Sequence, residues 1–541
     1  MRTYGEVWRQ VAAAVPERTA VVSAAGPMSY RRLEGDAARL AGLLRHHGVG
    51  HGDKVAIYSY NCPEYLVTVF AALTLGAAPV PVNFRYRSNE ALPLLEDCGA
   101  VALVYPRSLA AVVREVEPRA TSLRLLLEIP DDTPDGMPED RADEPGHAPA
   151  VAGAVPFHAL TEAPEHRPEP MPDDGELLLY TGGTTGRPKA VVWSVAELFE
   201  VQQYATYGTL GLPVPTTVDE VVDIARDPAT PRTVVMPLAP FMHGTALFNS
   251  MNVLTLGGTV SVLASARLDA AEAVRLVREH GVTRLVVAGD SVARPFLDAV
   301  EASSEAGLPS LSSVLSSGMR LSDDTKARLH ALGDVTVSDF LASTEGGPYA
   351  VAVSRSAEDL PARLRLFPDA VVLDERREEI QHRVGAVGTL AFRGALPKGY
   401  LGDPEKTAET FPVIRGRRHV APGDYVEVLA DGYVELLGRG SSVVNTGGEK
   451  IYPAEVEEAL MSHPDVTDAV VVGVPDEKWG EAVTAVVAVV GSTVTGEELI
   501  RHVGTQLAGY KKPKRVVLHE RLERSPTGKL DMRALRAELG R

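Results

Sequence analysis

From about residue 54 the chain repeats one pattern, a short apolar run followed by a longer segment of helical period. KVAIYSY (54–60) reads as a strand and PEYLVTVFAALTLGA (63–77) as a helix with Pro63 in the favoured first turn. PVPVN (79–83), VALVY (101–105), LRLLLEI (122–128) and LLLYT (177–181) continue the strands, with helical stretches near 89–97 and 107–116. TVVMPL (233–238), TVSVL (259–263) and TRLVVAG (283–289) follow, separated by helical patterns near 244–256 and 269–281. Strands alternating with helices over this distance predict α/β layers around mostly parallel sheets.

The pattern changes near 439–442. DGYVELLGR (431–439) reads as a turn and strand, and a helix is expected at 453–463 with Pro453 at its start. DAVVVGV (468–474), AVTAVVAVV (482–490) and KRVVLHE (514–520) read as strands and EELIRHVGTQLA (497–508) as a helix, enough for a small α+β domain with its own core. Two stretches look irregular: 131–175, dense in Pro, Asp, Glu and Ala, is expected to be an exposed loop or linker, and 210–232 an insertion between core elements.

Apolar residues are 45% and charged residues 23% of the 541, so a sizeable core is available. The net charge of −18 opposes binding to nucleic acid or an anionic membrane surface. Cys62 and Cys98 are too few for a disulfide framework and lack zinc-ligand spacing. The N-terminus lacks the apolar core of a signal peptide, and no run reaches the ~18 apolar residues of a membrane span. A cytoplasmic protein is expected.

LLLYTGGTTGRPKAVVW (177–193) runs from a strand into a Gly/Thr loop. Gly182, Gly183 and Gly186 let backbone amides approach an anion, Thr181, Thr184 and Thr185 offer hydroxyls, and Lys189 adds a cation. This is chemistry for a phosphate. The spacing of P-loop kinases and GTPases is absent, because Arg187 stands five positions after Gly182 and Pro188 five after Gly183.

Together with later segments, this loop resembles the acyl-adenylate-forming superfamily of acyl-CoA synthetases, firefly luciferases and peptide-synthetase adenylation domains. The resemblance spans about residues 5–535 and is carried by PLAPFMHGTAL (237–247), SSGMRLS (316–322), SDFLASTEGG (338–347), VAPGDYVEVLADGYVELLGR (420–439) and SPTGKLD (525–531). The hinge segment GRGSSVVNTGGEKIYPAEVE (438–457) and the PGD triplet at 422–424 are similar to those of actinobacterial fatty-acid and steroid acyl-CoA ligases.

The resemblance implies a large N-terminal α/β domain (1–438) that binds ATP and the acid, and a small mobile α+β C-terminal lid (439–541). It implies that Ser317 and Gly318 skirt the adenosine and that Asp339, Phe340 and Leu341 belong to the nucleotide site. Thr344 is expected on a phosphate oxygen, Glu345 on Mg²⁺, and Asp424 and Arg439 on the ribose hydroxyls. His243 is expected between acyl pocket and thiol channel, with Phe241, Met242 and Ala342 at the acyl pocket. Ser441 is the expected hinge, Gly447, Gly448 and Glu449 approach the pantetheine arm of CoA, and Lys529 neutralises charge during adenylation. Lys511, Lys512 and Lys514 are candidates for the phosphates of CoA. Two departures stand out: many relatives have an aromatic residue and a glycine where this chain has Leu341 and Ala342, and Asp or Lys where it has Ser441.

The implied reaction is ATP plus carboxylic acid plus CoA giving acyl-CoA, AMP and pyrophosphate. Phe241, Met242, Thr245, Ser317, Gly318 and Leu341 are small or apolar, which suits an aliphatic or aromatic acid better than an amino acid. One alternative keeps the ATP site but activates nitrite for an aryl amine, as diazotases do. Another is an inactive nucleotide-binding relative, opposed by the joint presence of Thr344, Glu345, Asp424, Arg439 and Lys529.

Overall fold

A computed structural model describes residues 3–131, 151–168, 171–172, 174–181, 188–303, 307–319, 321–439, 444–446, 449–476, 480–489, 491, 493–507, 509–524, 530 and 532–539. Contacts divide the chain into two units. The first comprises residues 1–348, 352–362 and 394–411; the second comprises 349–351, 363–393 and 412–541.

The first unit contains the predicted parallel layers. One sheet runs Ala78–Val82, Lys54–Tyr58, Ala100–Pro106, Leu125–Ile129 and Val155–Pro156, every neighbouring pair parallel. Its first four strands are buried on both faces, which explains why they read as unbroken apolar runs. The helix Pro63–Leu75 is buried on all sides from Tyr65 onward, as its near-continuous apolar sequence requires. It ends at Gly76, whose φ of 68° is left-handed and whose missing Cβ leaves room for His51 and Pro172.

A second sheet of this unit carries Thr336–Ser343, Ser313–Ser317, Arg284–Val287, Val234–Pro237 and Thr259–Ser261 as parallel neighbours, then Thr19–Ser23 and its hairpin partner Gly26–Ser29. The strands Glu176–Thr181 and Lys189–Ser194 form an antiparallel hairpin, and Gly399–Tyr400 pairs with its second strand.

The described parts of both irregular stretches are more ordered than expected. Within 210–232 lies the helix Val218–Arg226, closed by a capping box between Thr217 and Glu220 and burying Val221, Val222 and Ala225. Pro, Thr and Asp on both sides hid a nine-residue helix. Residues 132–150 lie outside the described residues, but 157–168 form a strap across the helix Tyr30–His46. The His166 amide donates to the Ala38 carbonyl at 2.9 Å, and Gly42 is bare where the Pro164 carbonyl presses on the helix. Arg39 pairs with Glu165 and Arg167 with Glu34, so the charges of the strap are answered on the helix.

The second unit has an antiparallel sheet ordered Ala370–Leu373, Val387–Phe392, Asp424–Val428, Tyr433–Arg439 and Leu364–Leu366. It also holds a sheet of Glu449–Ile451, Val444–Thr446, Gly480–Val489 and Val466–Asp476, with Arg515–His519 parallel to Gly480–Val489. Alternation sends Val471, Val483, Ala485 and Val487 to a core shared with Val456, Leu460, Leu499 and Val503 of two helices. Val470, Val472 and Val486 face the other way, onto Leu535 and Leu539 of the C-terminal helix. The expected boundary falls at the end of the strand Tyr433–Arg439, and residues 440–443 lie outside the described residues.

Candidate active site

Four parallel strands end side by side in the first unit: Val234–Pro237, Arg284–Val287, Ser313–Ser317 and Thr336–Ser343. His243, Ser317, Gly318 and the run from Phe340 to Glu345 all lie at or just beyond their carboxyl ends, where open α/β sheets bind ligands. Ser317 stands in register with Phe340, and Gly318 turns away with a left-handed φ of 85°. Asp339 to Ser343 are only half-buried, although Val337 and Ser338 before them are buried.

The Asp339 carboxylate is taken by Lys326 at 3.3 Å. Burial nevertheless outweighs that ammonium and raises the carboxyl above its usual value. The carboxylate expected in the nucleotide site is therefore already engaged within the protein.

The segment leading to His243 is held by a residue that the sequence reading did not single out. Buried Asn61 accepts from the Phe241 amide at 2.6 Å, and its Nδ2 donates to the Ala239 and Pro237 carbonyls at 3.1 and 3.3 Å. Phe241 is fully buried against Tyr65, with ring centroids 5.2 Å apart, and Met242 is packed in the core with Leu178 and Val192. His243 caps the helix Gly244–Thr255 through its backbone and is half-buried.

Thr181 pairs with Lys189 in the hairpin register. Gly182, Gly183, Thr184, Thr185 and Gly186 lie outside the described residues. The Lys189 ammonium is 2.7 Å from Asp403 and 5.8 Å from the centroid of the Tyr400 ring. Lys189 and the Lys406 amide hold the Asp403 carboxyl below its usual range.

The Thr344–Glu345 turn follows the strand Thr336–Ser343 and is gripped twice from this hairpin and its added strand. Trp193 Nε1 donates to the Thr344 carbonyl at 2.9 Å, and the Tyr400 hydroxyl donates to Glu345 Oε1 at 2.9 Å. Neither contact is legible in the sequence, because only tertiary structure brings Trp193 and Tyr400 to the turn. Ala342, like Leu341, is half-buried on the strand before it.

A divalent cation fits this carboxylate. Magnesium takes one or two carboxylates and completes its octahedron with waters and substrate phosphates. Glu345 offers one half-buried carboxylate whose Oε1 accepts from Tyr400, the kind of single-carboxylate anchor that such a nucleotide-borne ion takes.

In the second unit Asp424 and Arg439 are direct cross-strand partners, and Asp424 is buried. They stand fifteen positions apart in the sequence; the antiparallel register brings them together. Ser441, Gly447, Gly448 and Lys529 lie outside the described residues, and Glu449 opens the strand Glu449–Ile451. Lys511 is paired with Glu455. Cys62 and Cys98 are free and buried; burial pushes the Cys98 thiol up to about 11 and the Cys62 thiol higher, which leaves neither a ready nucleophile. No helix among the described residues is long and apolar enough to cross a membrane.

Residues 8–401 match the family described as AMP-binding enzyme, and residues 455–529 match the AMP-binding enzyme C-terminal domain. The chain is 38% identical over 531 residues to a medium/long-chain-fatty-acid and 3-oxocholest-4-en-26-oate CoA ligase of Mycolicibacterium smegmatis, covering 96% of this chain and 93% of that protein. It is 35% identical to a 3-oxocholest-4-en-26-oate CoA ligase of Rhodococcus rhodochrous, covering 97% and 94%. Among solved structures, a fatty acyl CoA synthetase of Mycobacterium tuberculosis aligns with a TM-score of 0.70 at 24% identity, covering 99% of this chain and 98% of that one. An anthranilate CoA ligase in complex with anthranoyl-AMP aligns with a TM-score of 0.80 at 20% identity, covering 99% and 97%. At those identities the two structures speak for the fold.

Proposed function

The chain belongs to the AMP-binding enzyme family, and from that premise we propose that it is an AMP-forming acid–CoA ligase that activates a carboxylic acid with ATP and passes the acyl group to CoA. The observation that carries this reading is the Thr344–Glu345 turn, set at the carboxyl ends of parallel strands and tied by Trp193 and Tyr400 to the hairpin of the phosphate loop. Relatives that span the chain and are named CoA ligases support the same reading. The names of those relatives favour a medium- or long-chain fatty acid or a steroid side-chain acid as substrate. The nitrite alternative draws no comparable support.

A carboxylic acid is ionised at neutral pH, so its attack on the α-phosphorus needs no strong base. The barrier lies in bringing two anions together and stabilising the departing pyrophosphate. The loop from Thr181 to Lys189 cradles the phosphates, the Thr344 hydroxyl bonds a phosphate oxygen, and Asp424 and Arg439 hold the ribose. Mg²⁺ bound at Glu345 would neutralise charge on the ATP phosphates. Residues 439–541 form the lid: Lys529 neutralises charge between the acid and the α-phosphate, and a rotation about Ser441 then brings Gly447, Gly448 and Glu449 to the pantetheine arm. The CoA thiolate displaces AMP from the mixed anhydride, and His243 lies between acid and thiol. The supply of ATP and CoA places the reaction in the cytoplasm.

The test is nucleotide consumption with Mg²⁺ over fatty, steroid and aromatic acids and nitrite, each with and without CoA or an aryl amine. AMP and a CoA thioester formed with an acid support the proposal. AMP formed only with nitrite, with turnover driven by the amine, replaces it with diazotisation.

A further inference from the structure

The residues from Gly399 to Asp403 touch both ends of the phosphate-handling machinery. Gly399 and Tyr400 add a short strand to the hairpin, in register with Val192 and Val191. The close approach requires glycine at 399, where φ is 140° and a Cβ would run into Thr407. The Tyr400 phenol is fixed on several sides: its amide donates to Thr407 Oγ1 at 2.9 Å, its ring packs on Phe411 at 5.9 Å, and the Lys189 ammonium lies over its face. Its hydroxyl donates to Glu345, and three residues on Asp403 holds Lys189.

A half-buried glutamate has several rotamers, and a hydrogen bond to one carboxylate oxygen selects among them while leaving lone pairs on the other. We infer that Tyr400 is a positioning residue for Glu345. Its hydroxyl sets the carboxylate in the orientation that receives the nucleotide-borne cation and locks it to the strand leaving the phosphate loop. Trp193 does the same for the backbone of Thr344, so the strand Lys189–Ser194 and the Thr344–Glu345 turn are tied at two points. The inference rests on the proposed role of Glu345. Hydrogen-bond partners of metal-ligating groups typically change metal affinity by about 10–100-fold when removed.

The test is Tyr400→Phe, which keeps the ring and removes only the hydroxyl. Mn²⁺ serves as the probe: its affinity for the protein saturated with a non-hydrolysable ATP analogue is read by electron paramagnetic resonance, and nucleotide affinity is read separately in EDTA. The expected result is a Mn²⁺ affinity about tenfold weaker, with nucleotide affinity in EDTA unchanged and no further loss when the change is added to Glu345→Gln. Equal Mn²⁺ affinity in wild type and Tyr400→Phe, alongside a weakened Glu345→Gln, overturns the inference and leaves the role of Glu345 standing. Mn²⁺ binding indifferent to Glu345→Gln removes the metal role itself. Loss of the folded state in Tyr400→Phe also overturns the inference, because the hydroxyl would then be structural.

Discussion

The Lys189 ammonium lies 2.7 Å from the Asp403 carboxylate, so the cation closing the phosphate loop is answered from within the protein. On the proposed role of Lys189, incoming polyphosphate shares this lysine with Asp403. Asp403→Asn keeps the helix-capping oxygen for the Lys406 amide and removes the competing charge. The KM for ATP is expected to fall and to become more sensitive to salt. An ATP requirement that rises instead would mean that the pair organises the loop rather than competing with the nucleotide.

Asn61 satisfies three backbone groups of the segment entering His243. Asn61→Ala strands buried polar atoms that cost about 1–3 kcal/mol each when left unmade, so urea denaturation should show a loss of about 2–4 kcal/mol after partial relaxation. The KM for the acid should rise more than the KM for ATP, because Phe241 and His243 lose their anchor. Equal changes in both constants would leave Asn61 with a purely structural role.

The raised carboxyl of Asp339 gives a pH signature. Its contribution to stability is present below the ordinary 3.8 and is lost as pH rises through the higher folded value. Asp339→Asn mimics the protonated form, so the variant should be no less stable than wild type at neutral pH and should lose this part of the pH dependence. If melting shows Asp339→Asn weaker at neutral pH but not in mild acid, the attraction of Lys326 outweighs burial. An increased KM for ATP would restore the nucleotide role.

The alternation of apolar runs and helical periods made the parallel layers legible, because doubly covered strands leave continuous apolar runs such as VALVY at 101–105. The Gly/Thr loop stands out in the sequence because phosphate chemistry needs those residue types close together, and the Thr-Glu element because it resembles that of the adenylate-forming family; the structure places Thr344 and Glu345 in a turn after the strand Thr336–Ser343, while residues 182–187 lie outside the described residues. Trp193, Tyr400, Asp403 and Asn61 do not stand out, since each acts on a residue 55 to 214 positions away. Asp424 and Arg439 share an expected role through the resemblance, and the antiparallel register sets them opposite one another.

The helix Val218–Arg226 failed for a different reason. Its Thr-x-x-Glu capping signal at 217–220 is present, but the flanking turn residues masked it. Thr217→Ala should destabilise the chain by about 1 kcal/mol in a urea titration. No change would show that the burial of Val221, Val222 and Ala225 fixes this helix without its cap.

The central claim is an acyl adenylate formed before CoA takes part, and exchange of labelled pyrophosphate into ATP tests it most directly. The account predicts exchange that depends on a fatty or steroid acid, proceeds without CoA, and is lost in Lys529→Ala. Exchange that needs CoA, or that persists with no acid present, would contradict it.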